Sequence, residues 1–166
     1  MKAEYFRKGT SARRQRGVAA IEFAFVFLVM ILITYGITTF GAVLYIQQVV
    51  SRAAEDGARA VTMLPSKLVT NDPKIQGAVY DSLAAALVVP IESNGSLAER
   101  LAWVKLNTKV NVSVGSIDRR ATVSVAYDYS ANRILPSLPL LDTSLWMPND
   151  VVGQATAVQA FEEPST

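Results

Sequence analysis

The chain has 166 residues, 51% of them hydrophobic, with no cysteine and no histidine. That length fits one domain of ordinary size plus a lipid-facing segment, and leaves little room for a second independent domain. Without cysteine there is no disulfide framework, and without histidine the commonest metal ligand and acid–base side chain is missing. The formal net charge of +2 is unevenly distributed: Lys2, Arg7, Lys8, Arg13, Arg14 and Arg16 stand against Glu4 alone before residue 18. The remainder is therefore net acidic and is not expected to bind nucleic acid.

The first predicted element is a membrane span. No charged residue occurs from Phe23 to Ser51, and about 20 apolar residues at 1.5 Å rise cross a hydrocarbon core of about 30 Å. The run is about twice the apolar part of a secretory signal peptide, which is roughly 7 to 15 residues long. Its Phe, Ile, Val and Leu content fits lipid better than a soluble core. A transmembrane portion over about 22–47 is expected. The basic residues precede it, whereas Arg52, Glu55, Asp56 and Arg59 cancel after it, so the positive-inside rule predicts a cytoplasmic N-terminus.

One residue is out of place. Glu22 lies inside the apolar run, where an ionisable side chain carries a penalty of a few kcal/mol. Two answers are open: headgroup hydration near the membrane surface, or a specific cation. A cut after Gly17 would give Val18 a new α-amino group with a pKa of about 8, positive at neutral pH and one helical turn from Glu22, or supplied by a neighbouring copy.

Beyond the span the helical pattern continues. Val50, Ala53, Gly57, Ala60, Val61 and Leu64 recur at steps of three and four, forming a stripe that is expected to pack on the chain's own outer domain or on other helices. Arg52 with Asp56 and Glu55 with Arg59 are expected as i,i+4 pairs. Pro65 should end this helix, which on that reading runs over 18–64, roughly 70 Å.

Asp72 and Pro73 form a good helix start, with Ile75, Val79, Leu83, Ala86 and Leu87 on one face, so a helix is predicted from 73 to about 88. Pro90 and Asn94-Gly95-Ser96 then read as chain breaks. The period changes to two at Val110, Val112 and Val114, and again at Val123, Val125, Tyr127 and Tyr129. Two strands joined through Gly115, Ser116, Ile117 and Asp118 are expected as a hairpin. A third strand is expected over 151–161. It is preceded by a long loop (130–150) whose Leu138, Leu140, Leu141, Leu145 and Trp146 need cover, from the core in preference to a partner.

The N-terminal residues also carry a resemblance. Arg13-Arg14-Gln15-Arg16-Gly17 followed by Val18-Ala19-Ala20-Ile21-Glu22-Phe23 and an apolar helix resembles a type IV prepilin processing site. The longer stretch, with Glu22-Phe23-Ala24, Tyr35-Gly36, Phe40-Gly41, Tyr45, Gln47 and Ala53-Ala54-Glu55-Asp56-Gly57-Ala58-Arg59, is more specifically similar to the TadE-like family of the Tad (tight adherence) pilus system. The similarity covers about 45 residues. Members of that family often carry a proline in the apolar helix; here none occurs from 18 to 64, so no proline kink is expected.

The resemblance implies a pseudopilin or minor pilin of Flp-type pili. It would be cleaved between Gly17 and Val18 by a prepilin peptidase, and recognised and docked through Glu22 and Phe23. Its implied partners are the membrane, other pilin-like subunits and the Tad inner-membrane assembly machinery. It would be a single-pass protein of the bacterial inner membrane with a periplasmic C-terminal domain, and a role in cell adhesion.

No phosphate loop, nucleophile elbow or metal-ligand cluster is present, and Asp118 or Asp128 alone makes no catalytic pair. No enzyme activity, cofactor, metal or small-molecule substrate is expected. Asn94-Gly95-Ser96 and Asn111-Val112-Ser113 match a glycosylation acceptor by letter but read as turn and strand chemistry. Trp103, Tyr127, Tyr129 and Trp146 read as core. The expected fold is α+β: a basic leader (1–17), a long helix (18–64), and an outer domain (65–166) with one further helix and about three antiparallel strands. The alternative function is an unprocessed bitopic anchor whose outer domain binds an envelope partner.

Overall fold

The computed structural model describes residues 12–64, 68–115, 120–135 and 147–159, with the side chains of 12–16 and 91 left aside. The chain divides into two compact units, Met1–Gly41 and Ala42–Thr166.

The first unit consists, among its described residues, of the N-terminal part of helix α1 (Ala12–Met63). It is one helix long and apolar enough to cross a membrane by length and composition. The helix begins at Ala12, earlier than the expected Val18, so the Arg16-Gly17-Val18 sequence is itself helical. No break interrupts it, as the lack of proline predicts. Its hydroxyls are satisfied internally: Thr34 donates to the Met30 carbonyl at 2.8 Å, Thr38 to Thr34 at 2.8 Å and Thr39 to Tyr35 at 2.7 Å. In hydrocarbon no water is at hand for such groups, so back-bonding to the preceding turn is what lets threonine sit there.

The second unit is α+β. It comprises the last part of α1, helices α2 (Pro73–Ala86) and α3 (Leu97–Asn107), a short 3-10 turn at Ile91–Ser93, and strands β1 (Thr108–Val114), β2 (Arg120–Asp128) and β3 (Asp150–Val158). The strands form one antiparallel sheet in the order β1-β2-β3, with Val112 opposite Val123 and Val125 opposite Gly153. The hairpin between β1 and β2 forms as expected, closed by the Gly115 N–H donating to the Arg120 carbonyl at 2.8 Å; residues 116–119 lie outside the described ones. Pro65 and the apolar loop residues from 136 to 146, Trp146 included, also lie outside them.

Helix α2 starts as the sequence dictates. The Asp72 carboxylate accepts from the Lys74 N–H at 2.9 Å and Pro73 takes the first helical position. It stops at Ala86, slightly short of 88, with Leu87 already extended. Helix α3 was not foreseen, since Asn94-Gly95-Ser96 reads as a break; the same residues in fact begin it. Ser96 Oγ accepts from the Glu99 N–H at 3.2 Å while Glu99 Oε2 accepts from the Ser96 N–H at 3.0 Å, a reciprocal capping box. The outer unit thus holds one helix more than expected. Arg100 on α3 closes the end of α2, donating to the carbonyls of Ala84 at 2.6 Å and Leu87 at 2.8 Å and to Asn94.

The core lies between one face of the sheet and the helices. Val112, Val123, Val125, Tyr127 and Val151 meet Ile46, Val50, Ala53, Ala54 and Val61 of α1 and Ile75, Val79 and Leu83 of α2. The predicted alternation in β2 is realised, with Ala121, Val123, Val125 and Tyr127 buried. Tyr129 is buried just beyond the strand, and Trp103 packs against Tyr127 with ring centroids 6.3 Å apart. These aromatics belong to the core. The free edge of β1 is sealed by Asn71, whose N–H donates to the Val112 carbonyl at 3.0 Å and whose Oδ1 accepts from the Val112 N–H at 2.9 Å. That double bond imitates a fourth strand, and Asn71 adopts φ 57 to make it, a left-handed conformation that Asn tolerates better than most residues.

Candidate functional site

Two regions carry the residues singled out above, one in each unit. In the first, Gly17 is helical with open space around it. Val18 and Phe23 are about two-thirds exposed, and Glu22 is exposed between them. The Phe23 and Phe27 rings stack along the helix surface with centroids 5.8 Å apart. Gly17, Val18, Glu22 and Phe23 therefore fall within two helical turns. Among the residues whose side chains are described, none pairs with Glu22. A carboxylate amid Phe23, Phe25 and Val26 carries a penalty in lipid unless headgroup hydration or a cation offsets it.

In the second region, the stripe on α1 faces the chain's own sheet and α2. Val50, Ala53, Gly57 and Val61 are buried and Ala60 and Leu64 half-buried. The reason for glycine at 57 is steric: a Cβ there would meet Val79 Cγ2 at 2.5 Å and Val123 Cγ1 at 3.0 Å. A second glycine, unnoticed in the sequence, completes the contact. A Cβ on Gly153 of β3 would meet the backbone of Val50 and Ser51 at 2.7 Å, so strand and helix touch main chain to main chain. The signal that could have found it is an isolated glycine inside a strand pattern.

Polar side chains of α1 fix this packing. The Tyr45 hydroxyl donates to the Ala86 carbonyl at the end of α2. Gln47 Nε2 donates to the Val152 carbonyl at 2.9 Å and to Ser51 Oγ at 3.3 Å. Asp56 Oδ2 accepts from Ser82 Oγ at 2.7 Å, and Asp56 Oδ1 lies 3.7 Å from Arg59 Nη1. The expected pairs Arg52–Asp56 and Glu55–Arg59 are not formed, because Asp56 turns toward α2 and Arg59 follows it one residue nearer than an i,i+4 partner.

Residues 17–59 match the family model described as TadE-like protein. The match starts at Gly17, spans the apolar part of α1 and ends in the part that packs into the outer unit's core. It therefore takes in Tyr45, Gln47, Asp56 and Gly57, residues that hold α1 to α2 and β3. No curated protein and no solved structure matches the chain.

Proposed function

Residues 17–59 being a TadE-like segment, we propose that this chain is a pilin-like subunit, a pseudopilin or minor pilin, that serves Tad pilus assembly rather than catalysis. The reading rests on one observation above all: the Glu22 carboxylate, which pairs with none of the described side chains, stands one helical turn after Gly17 and Val18 on a helix otherwise fit for lipid. Cleavage after Gly17 by a prepilin peptidase creates an ammonium group at Val18, and the Glu22 carboxylate of the same or an adjacent subunit neutralises it. Proton and charge balance are then met without burying a lone charge. The basic leader keeps the N-terminus cytoplasmic, which puts the peptidase site on that side and the outer unit on the other. Pilin-like helices and the inner-membrane assembly machinery are the partners.

Mass spectrometry of the chain from cells with an active prepilin peptidase tests this. A mature N-terminus at Val18 is expected, with piliation strongly reduced by Glu22→Ala. An intact Met1 in such cells, or normal pili with Glu22→Ala, overturns the reading and leaves an unprocessed bitopic anchor.

A further inference from the structure

We propose that the exposed face of α1 within the outer unit is an interface between copies of this chain, in which α1 of one copy lies along α1 of the next with a stagger of three to four residues. The proposal rests on the pilin-like reading, under which copies are added in one orientation and neighbouring α1 helices run in the same sense.

One side of this part of α1 is taken up by the outer unit's own core, through Ile46, Val50, Ala53 and Val61. On the opposite side Leu44, Gln48, Arg52, Glu55, Arg59 and Thr62 are exposed, and their steps of three and four put them on a single stripe. Along that stripe the charges read plus, minus, plus. The partners that could neutralise them within the helix are not used. Asp56 turns to Ser82, and Arg59 comes no nearer to Asp56 than 3.7 Å, its side chain still 72% exposed. Arg52 and Glu55 have no oppositely charged partner among the described side chains.

When two such helices run in the same sense, register decides what each charge meets. In register, Arg52 faces Arg52, Glu55 faces Glu55 and Arg59 faces Arg59, and like charges set against each other are unfavourable. Displaced by three to four residues, about 5 Å at 1.5 Å per residue, Arg52 faces Glu55 of the next copy and Glu55 faces Arg59 of that copy. One displacement satisfies both pairings. Exposed ion pairs are weak, so these charges select the register more than they supply affinity. The staggered contact is also heterologous, since different residues meet on the two copies. It therefore continues from copy to copy, whereas the in-register contact would close into a symmetric dimer.

The chain has no cysteine, so oxidation links only cysteines placed in it. Full chains carrying Leu44→Cys or Gln48→Cys, exposed positions whose replacement removes no charge, are produced together in cells with an active prepilin peptidase and oxidised in isolated membranes. A disulfide requires Cα atoms within about 7 Å. The expected result is linkage of Leu44→Cys to Gln48→Cys, several-fold above linkage of either variant to itself. A second experiment inverts the stripe on one chain, with Arg52→Glu, Glu55→Arg and Arg59→Glu together. Against a chain with the original charges, opposite charges then meet in register, and the dominant linkage is expected to move to Leu44→Cys with Leu44→Cys. Equal linkage in every combination, in-register linkage between chains with the original charges, or linkage that ignores the inversion overturns the staggered array. Mass spectrometry of the same membranes reads the N-terminus separately. With Val18 first, those results overturn the array alone, whereas an intact Met1 overturns the pilin-like reading and the array that rests on it.

Discussion

Tyr127 shows how much one side chain's surroundings matter in the outer unit. It is 1% exposed, its hydroxyl donates to the Asn132 carbonyl at 3.1 Å, and burial, then the neighbouring Tyr129 and Asp128, push its pKa up from 10.0 to about 12. The fold thus holds the neutral phenol. Up to pH 10 that preference is fully present. Between pH 10 and about 12 the unfolded chain gives up the proton while the folded chain keeps it, so stability falls with rising pH, by at most about 2 kcal/mol once solvent near the hydroxyl is allowed for. Tyr127→Phe should cost about 1 kcal/mol at neutral pH through the lost hydrogen bond and flatten the alkaline decline. Denaturant titrations at neutral pH and at about pH 11.5 check both; an unchanged alkaline decline would show that another group is responsible. Asp128, at the end of the same strand, has its pKa held down by the Ala131 N–H and the Ser130 hydroxyl, so whatever it contributes is lost on the acid side.

Between elements, the contact of α1 with β3 is set by missing side chains. Gly153→Ala sets a methyl against main-chain atoms that have no rotamer to change, and a loss of about 2 to 3 kcal/mol is expected. Gly77, inside α2 with open space around it, should respond the other way, Gly77→Ala gaining about 0.5 to 1 kcal/mol from lower backbone entropy in the unfolded chain. Thermal unfolding of the two variants side by side measures both signs, and equal shifts would mean that the main-chain approach is not what glycine serves. Helices α1 and α2 and all three strands were legible from periodicity because each buries a regular stripe. Helix α3 was not, since only Val104 is fully buried on it and its Leu106 is 85% exposed. Its start was nonetheless written as Ser96…Glu99, a capping box overshadowed by the Asn-Gly turn signal before it. The seal on β1 escaped notice for a different reason: Asn71 acts at Val112, 41 residues away, and no local pattern carries a contact of that range.

At the scale of the molecule, the division that matters falls at Gly41 and not at Pro65. The uncharged run from Phe23 to Ser51 conceals it, since lipid and a protein core both select apolar side chains and the sequence does not say which neighbour is meant. Gly17, Val18, Glu22 and Phe23 stand out in the sequence because a lone acid and a basic leader contrast with an apolar run, and their role stays a proposal, whereas Tyr45 and Gln47 become intelligible only with Ala86 and Val152 opposite them. A fragment from Ala42 to Thr166 keeps Ile46, Val49, Val50, Ala53, Ala54 and Val61 and should fold on its own with cooperative unfolding. A fragment from residue 65 loses all six and should not, the removal of several buried side chains at about 1.5 to 3 kcal/mol each exceeding the stability of a domain this size. Circular dichroism and denaturant titration of the two fragments decide the matter, and cooperative unfolding of the shorter one would refute it.

The main-chain approach of Gly153 to Val50 and Ser51 has a mechanical side. Because α1 is both tether and core, a pull on the tether loads this contact and the Gly57 contact parallel to the helix axis. Two surfaces interlocked in that way must slip past each other all at once; they cannot be peeled apart one residue at a time. A domain held in this way is expected to yield abruptly under tension, and the glycines that look like gaps in the sequence are its locking notches.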